Sequence, residues 1–169
     1  MPEPLCDCLL DKIHEQIERT EHLIGILPTE QLNWAPEISR AWAVSKVLGH
    51  LIECLAGFCA VLAAIDPQRL GHFAQLRGFP INRPCTASEA CHHMAVFRRH
   101  IDEGFALLRD EDLAQRIPTV FVQSGEPALT LLLGNLEHLI NHKHQLFVYL
   151  KLMGVDVGTR DLYCFRTDH

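Results

Sequence analysis

The sequence predicts an all-α protein built as a four-helix bundle, and three observations support this. Four long stretches repeat apolar residues at spacings of three and four, the period of a helix that buries one face. Segments rich in proline and glycine separate these stretches. The one strand-like segment, TVFVQ at 119–123, would have no partner strand. Helices packed against helices are then the way to bury the apolar faces.

The first two helices are predicted over residues 4–27 and 45–65. The first carries an approximate helical stripe of leucine and isoleucine, with Glu and Lys between them. Pro28 and Pro36 break the pattern that follows, around a short turn that starts at Thr29. The second helix has apolar residues at spacings of three and four along its length. This pattern indicates a helix of the core.

The third and fourth helices are predicted over residues 86–109 and 127–153. The third opens on TASE at 86–89, a capping box, and the fourth stops at Gly154. The connection 66–85 is long compared with the roughly 9 extended residues that return along a helix of about 30 Å. The second and third helices can therefore lie parallel, which allows an up-down-down-up order.

Composition limits the classes of function. The 169 residues predict one domain over 1–169, and 48% hydrophobic with 21% charged residues is ordinary for a soluble protein. The net charge of -6 argues against a nucleic-acid partner. No apolar run approaches the roughly 20 residues that span a bilayer, and the start MPEPLCDCLL does not read as a secretory signal. We therefore expect a cytoplasmic protein without a membrane partner.

The cysteines fit a reducing compartment. There are seven, an odd number, and no two have the CxxC spacing; they stand at positions 6, 8, 54, 59, 85, 91 and 164. A disulfide framework or a cysteine zinc site would show a different pattern. Small buried thiols are the expected interpretation for most of them.

Histidines are the candidate metal ligands. In GNLEHLINHKHQL (134–146), His138 and His142 are four apart and share one face of the fourth helix, whereas His144 lies roughly 200° around the helix from His142. His50 lies in the apolar run of the second helix. Bundles build metal sites from facing helices, and three imidazoles suit zinc or nickel. The alternative is that His50 is a core histidine bonded to a carbonyl. We interpret the other histidines as surface or loop residues, at 14, 22, 72, 92, 93, 100 and 169.

Several neighbours of these histidines have two interpretations each. Cys54, one turn after the histidine of the second helix, could complete a mixed site or be a buried thiol. Glu53 and Glu137 are candidate partners that orient an imidazole, although Glu137 is expected to be solvated. Gln145 could hydrogen-bond near the site or pack, and packing is favoured. Trp42 is expected to be a core residue at the start of the second helix.

Three segments resemble one known family in their order and spacing. WAVSKVLGHL at 42–51 places a tryptophan eight residues before a histidine, and HLINHKHQLFVYLKLMG at 138–154 has histidine-x3-histidine, then glutamine, an apolar helix and glycine. LPTEQLNWAPE at 27–37 precedes the second helix. With these segments the sequence resembles the DinB/YfiT-like superfamily over nearly the whole chain.

The resemblance implies an up-down-down-up four-helix bundle that binds a divalent metal through His50, His138 and His142. Zinc or nickel is the expected ion, with iron and manganese as further candidates. The chain departs from many relatives around the last ligand: they have a second histidine and then arginine-glycine, where this chain has Asn141, Lys143 and His144. Relatives often form dimers, so the resemblance also implies a possible homodimer.

Three protein ligands leave a metal open to a further ligand, as in catalytic sites. Members of the superfamily include transferases that use low-molecular-weight thiols such as bacillithiol, mycothiol or glutathione. The resemblance therefore implies a metal-dependent transferase that joins such a thiol to a small electrophile. Two alternatives stay open: a hydrolase that uses a metal-bound water, and a metal-binding, stress-associated protein without catalysis.

Overall fold

The computed structural model describes residues 4–163 and consists almost entirely of helices. Four long helices form the bundle: α1 (Leu5–Gly25), α2 (Val44–Ile65), α3 (Ala87–Phe105) and α4 (Ala128–Leu152). The predicted all-α class is confirmed, and each long helix ends within four residues of its predicted limits. A short helix that the sequence did not predict, α5 (Thr159–Tyr163), follows α4.

Short elements fill the connections. Three 3-10 helices cover Thr29–Gln31, Gly71–Gly78 and Asp110–Ala114, the first of them at the predicted turn. The two strands, β1 (Arg116–Ile117) and β2 (Glu126–Pro127), pair antiparallel before α4.

TVFVQ has no partner strand, as expected, but the sequence did not predict the hairpin that surrounds it. This segment forms the tip of the hairpin, where Thr119 N donates to Val122 O at 3.1 Å, and the paired strands lie on either side of it. A two-residue ladder is too short to show an alternating pattern in the sequence.

Contacts along the helices give their directions. The start of α1 meets the connection that follows α3, where Leu5 N donates to the Asp110 carboxylate at 2.9 Å, and α1 and α3 therefore run antiparallel. The start of α2 lies beside the start of α3, because Cys85 N donates to Ser45 O at 3.1 Å. Further along, Cys59 Sγ lies 3.9 Å from a carbonyl near the middle of α3. Helices α2 and α3 therefore run parallel.

Helix α4 runs antiparallel to α2. Gly57, in the second half of α2, packs so closely on Asn135, near the start of α4, that a Cβ at Gly57 would lie 2.9 Å from the Asn135 Cγ. At the other end, Val44 N donates to Trp34 O, and the Trp34 ring lies 5.3 Å from that of Tyr149. The four directions are those of the up-down-down-up order.

Helix α2 is the core helix. It packs on both α3 and α4, and its buried side chains include Leu48, Leu55, Phe58 and Leu62. By length and composition alone, α2 could cross a membrane, although the sequence was expected to contain no apolar run long enough to do so. The same test is passed by the buried core helix of a soluble protein, and 56% of the apolar window is buried in the bundle.

Candidate metal centre

Three histidines from α2 and α4 meet between these two helices. The ligand nitrogens of His50, His138 and His142 all lie within 4.8 Å of one another, and we call these residues the histidine cluster. His50 Nε2 lies 3.0 Å from His138 Nε2, and the ring centroids of His50 and His142 are 4.2 Å apart. The structure therefore brings together the three residues that the sequence singled out.

The α4 histidines share a face because they are four residues apart. Their ring centroids lie 4.8 Å apart, as expected for an i, i+4 pair on a helix. The third ring comes from α2, whose close approach to α4 at Gly57 brings the two helices together nearby. His50 is well enclosed, with 12% of its side chain exposed.

The connection between α2 and α3 orients His50. Lys46 Nζ donates to Asn82 Oδ1 at 2.6 Å, so this oxygen is an acceptor. His50 Nδ1 lies 3.3 Å from the same oxygen and must therefore donate to it, which leaves Nε2 with its lone pair towards the cluster. Glu53 Oε2 is nearer to Nδ1, at 2.7 Å, but lies off the N–H direction. Such partners fix the tautomer of a metal-binding histidine.

The position of Asn82 depends on tight packing at Gly49. Asn82 N donates to Gly49 O at 2.9 Å, and Asn82 adopts a left-handed backbone with φ of 54°. A Cβ at Gly49 would lie 2.6 Å from the Arg83 carbonyl carbon and closer still to its oxygen. Glycine at this position lets the connection lie directly on α2 beside His50.

Residues of α4 orient His142. Gln145 Nε2 donates to the Tyr149 hydroxyl at 3.1 Å, which turns Gln145 Oε1 towards His142 Nδ1 at 2.8 Å. His142 Nδ1 therefore donates, and its Nε2 carries the free lone pair. The expectation that Gln145 mainly packs was wrong, because the i, i+3 spacing places it within hydrogen-bonding distance of the imidazole.

The environment favours neutral imidazoles. Burial lowers the pKa of His138, and the neighbouring His50 lowers it further. Burial also lowers the pKa of His142, against the opposing effect of its hydrogen bond to Gln145. Neutral imidazole is the form that binds a metal ion.

The donor set fits a divalent ion. Zinc lies about 2.0–2.1 Å from histidine nitrogens, which places ligand nitrogens roughly 3–4 Å apart. One nitrogen pair of the cluster is 3.0 Å apart, and the three ligand nitrogens all lie within 4.8 Å of one another. Two of the three rings carry the tautomer that directs a lone pair inward. The histidine cluster could therefore hold an ion such as zinc or nickel, with coordination positions left for another ligand.

Trp42 covers the cluster, contrary to its expected place in the core. Its ring stacks on that of His142 at 5.9 Å and meets that of His50 edge-on at 4.9 Å, while 36% of the residue stays exposed. It precedes the first residue of α2 and so lies at the rim of the bundle. Beside it lies a cavity of about 290 Å³ that His142, Gln145 and Tyr149 line from α4.

The other candidates near the cluster do not join it. Cys54 is 1% exposed, and burial raises the pKa of its thiol to about 12, which disfavours the thiolate that binds metals. Among residues 4–163, the cluster that could hold a metal there contains only histidines. Glu137 and His144 are exposed, as expected.

The remaining described histidines lie mostly on helices; His72 and His92 are exposed, as expected, whereas the other four are half-buried. His14 and His22 of α1 are half-buried and lie 2.5 Å and 3.1 Å from carboxylates of Asp102 and Asp161. His100 of α3 is half-buried and bonds a carbonyl of its own helix. His169, predicted to be a surface or loop residue, and Cys164 lie outside the described residues.

Lys143, next to the last histidine, points away from the cluster. It is 2% exposed, and its Nζ donates to Gln16 Oε1 of α1 at 2.8 Å. Burial lowers the pKa of this lysine to about 8. The departure from the family pattern at this position therefore concerns the interface between α1 and α4.

The family model of the DinB superfamily matches residues 12–146, which include the whole histidine cluster. The chain belongs to the DinB superfamily. No curated protein sequence matches it.

Two solved structures of DinB-like proteins share the fold. One from Bacillus cereus superposes with a TM-score of 0.72 at 16% sequence identity, covering 94% of this chain and 98% of that one. One from Bacillus subtilis gives a TM-score of 0.65 at 16% identity, covering 86% and 92%. At this identity the likeness establishes the fold alone, and the function has to be inferred from the site.

Proposed function

We propose that this DinB-like protein is a metal-dependent transferase that joins a low-molecular-weight thiol to a small electrophile. His50, His138 and His142 are the proposed ligands of one zinc or nickel ion. The observation that carries the proposal is a cluster of three imidazoles beside a cavity, in which the rings of His50 and His142 each have Nε2 free to bind an ion. An open three-ligand site is typical of catalytic metals.

A divalent ion supplies Lewis acidity, which lowers the pKa of a thiol and favours the nucleophilic thiolate. The protein residues do the positioning. Asn82 and Gln145 hold two of the imidazoles by their Nδ1 atoms, and Trp42 limits access of water on one side. In the reaction, sulfur forms a bond to a substrate carbon, the thiol proton passes to solvent, and a leaving group such as halide departs.

The setting of the site agrees with this chemistry in two respects. Small thiols are abundant in the cytoplasm, the compartment that we propose for this protein from the number and spacing of its cysteines in the sequence. The thiol transferases of the superfamily supply the class of reaction. A homodimer is also proposed, on the grounds of the family resemblance.

The test is thiol consumption by the metal-loaded protein with an aryl halide and an epoxide as electrophiles. Bacillithiol, mycothiol and glutathione are compared, because the wrong thiol would give a false negative. At least one of them should react faster than in buffer, and a chelator should remove this rate until the ion is returned. His138→Ala should behave like the chelated protein while His144→Ala keeps the rate.

Three outcomes separate the alternatives. Thiol consumption that needs the metal supports the transferase. Ester cleavage without thiol, lost on chelation, supports the hydrolase instead. A filled metal site without either activity refutes the transferase and favours a metal-binding protein without catalysis.

A further inference from the structure

The cavity beside the histidine cluster has two unlike walls. Helix α4 contributes His142, Gln145 and Tyr149, so one wall includes a proposed metal ligand. The other wall is the segment 38–42, which is the last part of the connection between α1 and α2 and ends at Trp42. A molecule bound at the metal would therefore also touch this segment, whose side chains are the ones that could select it.

Arg40 is the charged residue in this wall. Its side chain is exposed. Within residues 4–163, its guanidinium forms no hydrogen bond or ion pair. Its backbone adopts φ of 64°, a left-handed conformation that costs free energy in a residue with a side chain. An unpaired arginine on a strained turn, in the same cavity as a proposed metal ligand, is well suited to bind an anion.

Two cationic side chains lie near Trp42. Arg40 lines the same cavity as Trp42, and Lys46 Nζ lies 5.7 Å from the centroid of the Trp42 ring. None of the residues that line the cavity is acidic. In a chain with a net charge of -6, this local excess of positive charge favours anionic ligands.

We propose that Arg40 binds a carboxylate of the thiol cosubstrate, so that the site selects acidic thiols over neutral ones. This inference rests on the proposed function, because it takes the metal as the position of the sulfur. The guanidinium presents two parallel N–H donors to a carboxylate, which a lysine cannot reproduce. Arg40 is then a specificity-determining residue.

The test compares matched thiols on the cobalt-loaded protein. The affinities of 3-mercaptopropanoate and 6-mercaptohexanoate are measured from the sulfur-to-cobalt charge-transfer band, beside those of the alcohols 3-mercaptopropanol and 6-mercaptohexanol. Arg40→Gln should weaken binding of at least one acid roughly tenfold and leave its alcohol unchanged. The control is Arg77→Gln, an exposed arginine that lines a different cavity.

Two results would overturn the proposal. One is an acid affinity that Arg40→Gln does not change for either chain length. The other is an equal loss for acid and alcohol, which would mean that Arg40 only shapes the cavity.

If no thiol produces the band in any variant, the proposed thiol chemistry fails, and the anion site is judged separately. Metal-free protein is then titrated with succinate and followed by the fluorescence of Trp42. Binding that Arg40→Gln weakens keeps the anion site, whereas binding independent of Arg40 refutes it as well.

Discussion

Replacing Gly49 by alanine should displace the connection between α2 and α3, whose Asn82 orients His50. The new Cβ would lie 2.6 Å and 2.8 Å from the carbonyl carbon and nitrogen of Arg83, which are backbone atoms and cannot rotate away. The connection must retreat, which breaks the bonds from Asn82 N to Gly49 O and from Cys85 N to Ser45 O. Two such bonds contribute about 2 kcal/mol, and overpacking adds about 1–3 kcal/mol.

Alanine also gains about 1 kcal/mol over glycine within a helix, which offsets part of this loss. The free energy of unfolding of Gly49→Ala should therefore fall by about 2–4 kcal/mol. Urea unfolding of the metal-free protein, followed by circular dichroism, measures it.

The control is Gly134→Ala in α4, where an added Cβ meets nothing within 4 Å. It should gain up to about 1 kcal/mol from helix propensity alone. If Gly49→Ala is as stable as Gly134→Ala, the close packing at Gly49 does not exist in solution. The account of how His50 is oriented would then fail with it.

Three further predictions concern α4 and the cover of the cluster. Lys143→Met should raise the free energy of unfolding by about 1–2 kcal/mol at pH 7, because burial lowers the pKa of this lysine to about 8 and penalises its charged form. Gln145→Leu should weaken metal affinity in calorimetric titration roughly 10–100-fold, whereas the exposed Glu137→Gln should not. Nickel should quench the fluorescence of Trp42 because its ring stacks on the cluster, so Trp42→Phe should remove most of the quenching and Trp34→Phe should keep it.

A different result would contradict each of these three predictions. The pKa of Lys143 is lower in the folded protein than its ordinary value of 10.5, so the penalty is present below pH 8 and disappears as the pH rises past 10.5. A stability difference that does not shrink over this window would contradict a buried lysine. Equal metal affinities for Gln145→Leu and Glu137→Gln would remove the role of Gln145. Quenching that survives in Trp42→Phe would separate this ring from the metal.

The four long helices could be predicted from the sequence because burial of one helical face leaves a local pattern. The capping box at Thr86 and Glu89 is also local, and both reciprocal bonds are present in the structure. By contrast, α5 and the two strands are too short for periodicity to show. They depend on what the adjacent connections pack against.

The site was only partly predictable, because only contacts within one helix leave a local pattern in the sequence. The spacing of His138 and His142 reveals one shared helix face, whereas the pairing with His50 is a contact between distant segments that the family resemblance supplied. Asn82 and Trp42 contact the cluster, and Arg40 lines the cavity beside it, from connections whose paths no periodic pattern encodes. Gln145 could have been found from its i, i+3 spacing to His142.

The most direct test of the central claim is the metal content of the purified protein, measured by elemental analysis after equilibration with zinc or nickel and removal of excess ion. We expect close to one ion per chain in the unaltered protein and in His144→Ala. We expect almost none in His50→Ala, His138→Ala or His142→Ala, with helical content retained. Equal metal content in all five proteins would show that the histidine cluster is not the metal site.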